Sequence, residues 1–304
     1  MLNMLIDDFN QIIEDEVDKI QQKFKVDFKK DVDTDIYYHM NLFFKLKNFK
    51  HRAVYGKSYY VVCSKELKEH LSKIPNEFIR NFHTILEIIG SNGNLIPYQS
   101  KYIESPSLDI LFNNYKINHL HLSSKKENNT NFMKRADYLL FFTIYGDMFF
   151  LIDIDKHPKD YKWIEKYPEI VYDNWPFIYD KSMGLKDVTD FNPKYNREEE
   201  YELSKYVSLL KNIRGNIYLP AFWGIGSNGV PTQYIWEYDH LINRLGKLEN
   251  ALTNEDTIKK LGFSCSKDCK FKLKFKNNKL ILFEQKRNEY YDLKFYDLKF
   301  SEIF

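Results

Sequence analysis

The stretch YLLFFTIYGDMFFLIDI, from Tyr138 to Ile154, decides the fold. Two apolar segments, rich in aromatic and β-branched residues, flank the short turn Tyr145-Gly-Asp147. This pattern predicts a β-hairpin. Because both faces of the hairpin are apolar, we expect it to lie in a central sheet that is covered by helices.

Neighbouring segments extend this sheet and supply its helices. Residues 117–122 predict a third strand, so we expect three antiparallel strands side by side. An apolar stripe predicts a helix over residues 76–89, with Pro75 suited to its first turn, and a shorter helix over residues 64–73. The predicted fold class is α+β, an antiparallel central sheet with packed helices.

The flanking regions predict further elements of both kinds. Apolar residues at a 3.6-residue period predict a helix over residues 2–24. Short aromatic and β-branched pieces predict strands within residues 37–62. We therefore expect three segments: residues 1–60 with the N-terminal helix and strands, the α+β core over 61–165, and a mixed α+β region over 166–304.

The segment 166–304 is predicted to contain both helices and strands. Helices are predicted for residues 198–214 and 231–252, and a strand for residues 217–223. From residue 270 to residue 284 lysines alternate with apolar residues around Asn277-Asn278, which predicts a hairpin with one polar face.

The amino-acid composition indicates a folded protein without a membrane-spanning helix, but it does not indicate a function. The 304 residues contain 17% aromatic side chains and have a formal net charge of +2, so a disordered chain is excluded and global charge indicates no particular partner. No apolar run reaches the roughly 18 residues of a membrane-spanning helix. Three cysteines without a metal-ligand pattern are expected to be reduced thiols, and the expected location is the cytoplasm.

Potential chemistry is densest between His119 and Trp163. His119 and His121 are two residues apart, so on a strand they point to one face. Cleavage of RNA without a metal needs a base for the 2′-hydroxyl, a cation for the phosphorane and an acid for the leaving oxygen. The hairpin is flanked by side chains of these kinds, and by rings that could stack on bases: Lys134, Arg135, Tyr138, Lys156, His157, Tyr161 and Trp163.

The order of these residues resembles the RelE/ParE toxin superfamily. Arg135-Ala-Asp-Tyr138, an apolar strand, a turn, a second apolar strand, then Lys156-His157 and Tyr161 carry the resemblance, which covers about residues 60–165. In that family two helices precede an antiparallel sheet. One departure is Leu139, which stands where the family usually has a further basic residue.

RelE-like members are ribosome-dependent mRNA endonucleases, whereas ParE-like members inhibit gyrase. The resemblance implies that Arg135 orients or stabilises phosphate, that Lys156 and His157 act as cation, acid or base, and that Tyr161 stacks or transfers a proton. It implies a toxin-like or antiphage-defence endoribonuclease without a cofactor. The expected partners are RNA, including ribosome-associated RNA, and an antitoxin or other regulatory protein; no membrane is expected.

The sequence is also compatible with three other interpretations. A non-catalytic module could bind nucleic acid or protein through the same residues. His119 and His121 could bind a metal ion with Asp153, Asp155 or His157. The motif Gly224-x-Gly226-x-x-Gly229, with Ser227 and Asn228 at its tip, could bind a phosphate or an RNA backbone, although a plain turn is the simpler interpretation.

A magnesium-dependent nuclease is a further alternative. Glu284-Gln-Lys286 follows an apolar strand, as the Glu-x-Lys half of such sites does, and Asp268 is the only upstream acid at a suitable distance. In that chemistry the carboxylates hold Mg²⁺ and the lysine orients the attacking water.

Overall fold

The computed structural model describes residues 4–30, 32–106, 109–128, 130–157, 163–180, 183–185, 188, 190–260, 269–277 and 279–293. The chain divides into two compact units. One is His51–Gln233, and the other combines Met1–Lys50 with Tyr234–Phe304. These units do not coincide with the boundaries expected after residues 60 and 165.

The unit His51–Gln233 is built on a four-stranded sheet with the order β1-β4-β3-β2. Its strands are β1 (Tyr60–Cys63), β2 (Asn118–His121), β3 (Tyr138–Tyr145) and β4 (Met148–Lys156). Strands β2, β3 and β4 are antiparallel neighbours, which confirms the predicted arrangement. The sheet as a whole is mixed, however, because β1 runs parallel to β4. The long connection between these two strands permits a parallel pairing, which no tight hairpin allows.

Helices α3 (Lys65–His70) and α4 (Asn76–Gly90) pack on one face of this sheet, as expected for the helix over residues 76–89. Ser64 caps α3, since its Oγ accepts the N–H of Leu67 at 2.9 Å and donates to the Ile152 carbonyl at 2.6 Å. The buried side chains of this face are Leu67, Phe82, Ile85, Ile89, Leu120, Leu140, Phe142, Phe149, Leu151 and Ile154. Burial of each large apolar side chain contributes about 1.5–3 kcal/mol.

The opposite face of the sheet carries both apolar and polar groups. Because side chains alternate along a strand, residues that flank the buried Leu120, Leu140 and Ile154 point to this second face. They are His119, His121, Leu139, Phe141, Asp153 and Asp155. A β-bulge between Phe141 and Phe142 shifts the register of β3 against β4, and Phe141 thereby pairs with Asp153.

Helix α6 (Trp163–Asn174) lies on this second face, where Tyr167 stacks on Phe141 with ring centroids 3.8 Å apart. The short helix α5 (Ile110–Tyr115) precedes β2. Helices α7 (Phe177–Asp180) and α8 (Arg197–Leu203) follow α6, and then the two-stranded ladder of β5 (Lys211–Ile213) and β6 (Asn216–Tyr218).

The predicted helix over residues 198–214 is wrong beyond Leu203. The chain turns there and enters β5, where the buried Lys211 binds back to Glu200 and Ser204 at 2.8 and 3.0 Å. The strand predicted for residues 217–223 is also shortened: β6 ends at Tyr218, and Ala221–Trp223 forms a 3₁₀ turn. Local turns and a buried ion pair outweigh the apolar periodicity here.

In the other unit, α1 (Met4–Phe24) confirms the predicted first helix. The strands predicted within residues 37–62 are wrong up to residue 52, because α2 (Tyr38–Arg52) occupies that region, whereas β1 matches the last predicted piece. This helix is buried on most of its circumference, because Phe43, Phe44, Lys47 and Asn48 are buried as well as Leu42, Leu46 and Phe49. A helix that is apolar all round has no clear stripe, so the aromatic composition wrongly favoured strands.

The remainder of this unit follows the sequence more closely. Helix α9 (Thr232–Ala251) confirms the prediction for residues 231–252, and α10 (Glu255–Lys260) follows it. Strands β7 (Phe271–Lys276) and β8 (Lys279–Glu284) form the predicted hairpin. A strand that was not predicted, β9 (Glu289–Asp292), extends it to a three-stranded antiparallel sheet.

Two further expectations concern membrane-spanning helices and the oxidation state of the cysteines. Within the described ranges, no helix is both long enough and apolar enough to cross a membrane. The expectation of reduced cysteines holds for Cys63, which is a free thiol, but not for Cys269, which is disulfide-bonded.

Candidate functional site

Two histidines of β2 form the centre of the candidate site. His119 and His121 point to the second face of the sheet, with ring centroids 5.7 Å apart and nearly perpendicular. His121 is buried, and its Nδ1 accepts the N–H of Ala136 at 3.5 Å. His119 is partly exposed, and the centroid of its ring lies 6.1 Å from the centroid of the Phe141 ring. His119 is therefore the more accessible imidazole of the pair.

The electrostatics of this pair keep both rings neutral at pH 7. Burial lowers the pKa of His119 to about 4 and the pKa of His121 to about 3. At His119 the charge of Asp109 opposes this shift and the charge of Arg52 adds to it. Interactions with Arg135 and His157 lower both pKa values further. A neutral imidazole has one nitrogen that can accept a proton, and in His121 that nitrogen already accepts the Ala136 N–H. His119 is therefore the candidate base of the pair.

Arg135 and His157 meet the histidine pair at the same end of the sheet. Both lie within electrostatic range of His119 and of His121. The antiparallel pairing of Tyr138 with Lys156 brings the segment before β3 next to the segment after β4, and the His157 N–H donates to the Asp137 carbonyl at 2.8 Å. Arg135 and His157 are both exposed. The structure thus gathers an exposed cation and three imidazoles.

Other predicted site residues are not part of this group. Tyr138 and Lys156 lie on the opposite face, where Tyr138 packs on Phe78 at 4.6 Å and the Lys156 Nζ is 5.9 Å from the Tyr138 ring centroid. Trp163 contacts Tyr201 edge-on at 6.1 Å. Tyr138 and Trp163 thus pack on other rings, and Lys156 is exposed on the face opposite the histidines.

Lys134 and Tyr161 are the two remaining residues of the site predicted around the hairpin. Lys134 is exposed, and its backbone N–H donates to the Lys125 carbonyl at 2.7 Å. Tyr161 lies outside the described residues, so its predicted role remains a prediction.

Sequence reasoning missed a second polar group on the same face of the sheet. The fully buried carboxylate of Asp153 bonds His70 Nδ1 at 2.9 Å, and Lys166 Nζ lies 2.9 Å from its other oxygen. Lys166 also bonds Asp155 at 2.6 Å. Burial lowers the pKa of Lys166, but the hydrogen bonds to Asp155 and Asp153 outweigh burial and raise it.

This second group connects α3 and α6 to β4. Only Asp153 could have been suspected from the sequence, because it interrupts an apolar strand. Nothing in the sequence near His70 or Lys166 indicates that those residues reach the same carboxylate.

The histidine pair and the aspartates do not form a metal site. His119, Phe141 and Asp153 occupy successive positions across three strands, as do His121, Leu139 and Asp155. Two strand spacings separate the outer members of each row by about 10 Å, and metal–ligand bonds are about 2 Å long. Within the described ranges, no group of three or more His, Cys, Asp or Glu could hold a metal ion.

The glycine loop binds its own backbone. Gly224 N–H donates to Ala221, Gly226 N–H to Val230 and Gly229 N–H to Gly226, while Asn228 Oδ1 accepts the N–H of Val230 at 3.1 Å. Ser227 is exposed at the tip. Because the three glycine amides are engaged, they do not form a phosphate cradle. The turn interpretation accounts for this loop.

Gly224 has a structural role in the same loop. Its φ is +77°, and a Cβ at this position would lie only 2.1 Å from the Oγ of Ser208. That hydroxyl donates to the carbonyls of Trp223 and Ile225 at 3.1 Å each. The glycine lets the chain pass close to Ser208.

The Glu284 carboxylate is likewise occupied by backbone. It accepts N–H groups of Arg287, Lys286 and Lys270 at 2.7, 3.2 and 3.4 Å. Burial raises the pKa of Glu284, and these bonds outweigh burial and lower it. Glu284 closes the turn after β8, and Asp268, the predicted second ligand, lies outside the described residues. Nothing in the geometry of Glu284 favours a magnesium site.

Two cavities of about 420 and 380 Å³ lie beside α6. Both are lined by Glu165, Glu169 and Arg214, and Arg214 is itself paired with Glu169 and Asp173 at 3.1 and 2.6 Å. Their acidic lining is unsuited to the phosphates of RNA.

No family model, curated protein or solved structure matches this chain. Its function is therefore inferred from the chemistry of its side chains.

Proposed function

We propose that this chain is a metal-independent endoribonuclease of the toxin or antiphage-defence type, acting at His119, His121, Arg135 and His157. The observation that carries the proposal is that strand pairing brings the adjacent rings of His119 and His121 to the end of the sheet where the exposed Arg135 precedes β3 and the exposed His157 follows β4. Base, cation and acid are the groups that cleavage of RNA without a metal needs.

In this reaction His119 accepts the proton of a ribose 2′-hydroxyl. The 2′-oxygen attacks the adjacent phosphorus, and the bond from phosphorus to the 5′-oxygen breaks. Arg135 stabilises the negative charge of the phosphorane, and protonated His157 donates a proton to the departing 5′-oxygen. The products are a 2′,3′-cyclic phosphate and a 5′-hydroxyl. His121, which is buried against His119, positions that ring.

The resemblance to the RelE/ParE superfamily supports the same proposal. Helices α3 and α4 followed by antiparallel β2, β3 and β4 have the order that the resemblance implies. An antitoxin or another regulatory protein, and RNA bound to ribosomes, are the partners that accompany the proposal.

The test is cleavage of a labelled single-stranded RNA by the full chain in the presence of EDTA. We expect cleavage to persist, to yield a 2′,3′-cyclic phosphate, and to be absent on the 2′-deoxy oligonucleotide. His119→Ala, Arg135→Ala and His157→Ala should each lower the rate at least about 100-fold, the usual range for acid–base groups. His83→Ala, an exposed histidine on α4, is the matched control.

Two further measurements separate this proposal from its rival. The double variant Arg135→Ala/His157→Ala should lose little beyond either single variant, because both groups serve one step. Induction of the chain in cells should arrest growth and create new RNA 5′ ends. Binding of RNA without cleavage by the purified chain would instead favour the non-catalytic module.

A further inference from the structure

The sheet formed by β7, β8 and β9 has one buried and one exposed side. Phe271, Leu273, Leu280 and Leu282 are buried on the first side. By strand alternation the intervening residues occupy the other side. We call this side the basic sheet face; it comprises Lys272, Lys274, Lys276, Lys279, Ile281, Phe283 and Tyr290.

Rings and ammonium groups are interleaved on the basic sheet face. Lys272, Phe283 and Tyr290 pair across the three strands, and the two ring centroids are 4.8 Å apart. Lys274 Nζ lies 3.5 Å from the Phe283 centroid, and Lys276 Nζ lies 4.9 Å from the Tyr290 centroid. Tyr290 is 49% exposed, so its ring remains accessible beside two cations.

No acidic side chain that the structure describes neutralises the lysines of this face. Within the described part of the chain, none of Lys272, Lys274, Lys276 and Lys279 forms an ion pair, and the contacts of Lys274 and Lys276 are with rings. Lysines two residues apart on one face repel one another, and a polyanion relieves that repulsion.

We propose that the basic sheet face binds single-stranded RNA. An unpaired base stacks on the exposed ring of Tyr290, beside Phe283, and the flanking phosphates contact the neighbouring lysines. Several families of proteins bind unpaired nucleic acid through aromatic rings that project from a sheet beside basic residues. In a duplex the faces of the bases are stacked on one another and cannot stack on such rings. The choice of RNA over DNA rests on the proposed function; the sheet geometry itself requires only an unpaired strand.

The experiment measures fluorescence anisotropy of a 5′-labelled 12-nucleotide RNA with the full chain carrying His119→Ala, so that the RNA stays intact. Tyr290→Ala should weaken Kd about 5- to 100-fold, the range measured for loss of one stacked base. Tyr290→Phe should bind almost as well as the parent. Tyr60→Ala, a more exposed tyrosine on β1, is the matched control and should leave Kd unchanged.

A triple variant tests the lysines. Lys272→Ala/Lys274→Ala/Lys276→Ala should reduce the slope of log K against log salt by about 2, because each phosphate contact on a single strand contributes about 0.7. Lys65→Ala/Lys68→Ala/Lys73→Ala removes the same charge from α3 and the adjoining turn, and should not change the slope. Thermal midpoints close to that of the parent show that each variant is folded.

Several outcomes would overturn the inference. They are equal Kd for parent and Tyr290→Ala, equal affinity for duplex RNA, and binding of poly-glutamate or anionic vesicles that competes fully with RNA. Equal affinity for single-stranded DNA would contradict the choice of RNA and leave a site for an unpaired strand. Failure of the proposed function gives a different pattern. In that case the chain with His119 intact binds RNA through Tyr290 but leaves it uncut.

Discussion

His119 and His121 are two histidines that burial keeps neutral at pH 7. An unfolded chain exposes both rings to water, where the imidazole pKa is about 6.5. In the folded chain the pKa values are about 4 and about 3. Between these limits the unfolded chain binds protons that the folded chain excludes, so the free energy of unfolding falls as pH falls from 6.5 toward 4.

We therefore expect acid to destabilise the protein through this pair. At pH 5 the loss relative to pH 7 should be at most about 2 kcal/mol for each histidine. Urea unfolding at the two pH values measures it. The double variant His119→Gln/His121→Gln has no imidazole to protonate, and its stability should depend less on pH over this interval. An unchanged pH dependence in the double variant would show that other groups cause the acid sensitivity.

A second residue-scale expectation concerns Gly224. Its positive φ and the 2.1 Å approach of Ser208 Oγ to any added Cβ oppose a side chain. Gly224→Ala should lower the free energy of unfolding by about 1–3 kcal/mol. Gly246 on α9 has open space around it, and Gly246→Ala should be stabilising by up to about 1 kcal/mol. Chemical denaturation of both variants tests the pair, and equal effects would contradict this account of the loop.

At the scale of elements, the Asp153 network fixes α3 and α6 to β4. The carboxylate of Asp153 is 0% exposed, whereas the Asp155 side chain is 43% exposed, although both contact Lys166. Removal of a buried charge leaves its partners uncompensated in a low-dielectric environment. Removal of an exposed one is compensated by water.

Asp153→Asn should therefore destabilise the protein by about 2–4 kcal/mol. This is somewhat less than the cost of removing one partner of a fully buried ion pair, because His70 and Lys166 reach solvent. Asp155→Asn removes the same charge nearby and should cost below about 1 kcal/mol. Urea unfolding midpoints at pH 7 compare the two variants. If both cost the same, burial of Asp153 is not what holds the helices.

At the scale of the whole molecule, the proposed chemistry and the proposed RNA-binding face belong to different units of the chain. Groups that bind the substrate equally in the ground and transition states change KM, whereas groups that act only in the transition state change kcat. The two sets of residues should consequently separate in steady-state kinetics.

Tyr290→Ala should raise KM for a single-stranded RNA about as much as it weakens binding, 5- to 100-fold, and leave kcat within a factor of about two. His119→Ala should lower kcat with little change in KM. Initial rates over a range of RNA concentrations give both constants. A fall in kcat for Tyr290→Ala would assign that tyrosine to the chemical step and contradict the separation.

The amino-acid sequence by itself determined the elements whose side chains have one clear period. The hairpin of β3 and β4, the helix α4 over it, the terminal helix α1 and the β7–β8 hairpin follow from local spacing, because period 2 or period 3.6 is a property of neighbouring residues. The pairing of the segments before β3 and after β4, which places Arg135 and His157 at the same end of the sheet, also follows from the short turn.

Only the tertiary structure decided contacts between residues far apart in the chain. The parallel pairing of β1 with β4, the binding of His70 and Lys166 to Asp153, and the bond from Lys211 to Glu200 depend on which surfaces meet. Strand β3 lies between β2 and β4 and separates the histidines from the aspartates, and strand alternation turns Lys156 away from both. Such contacts form because buried charges need partners, and the sequence does not specify which partner lies within reach.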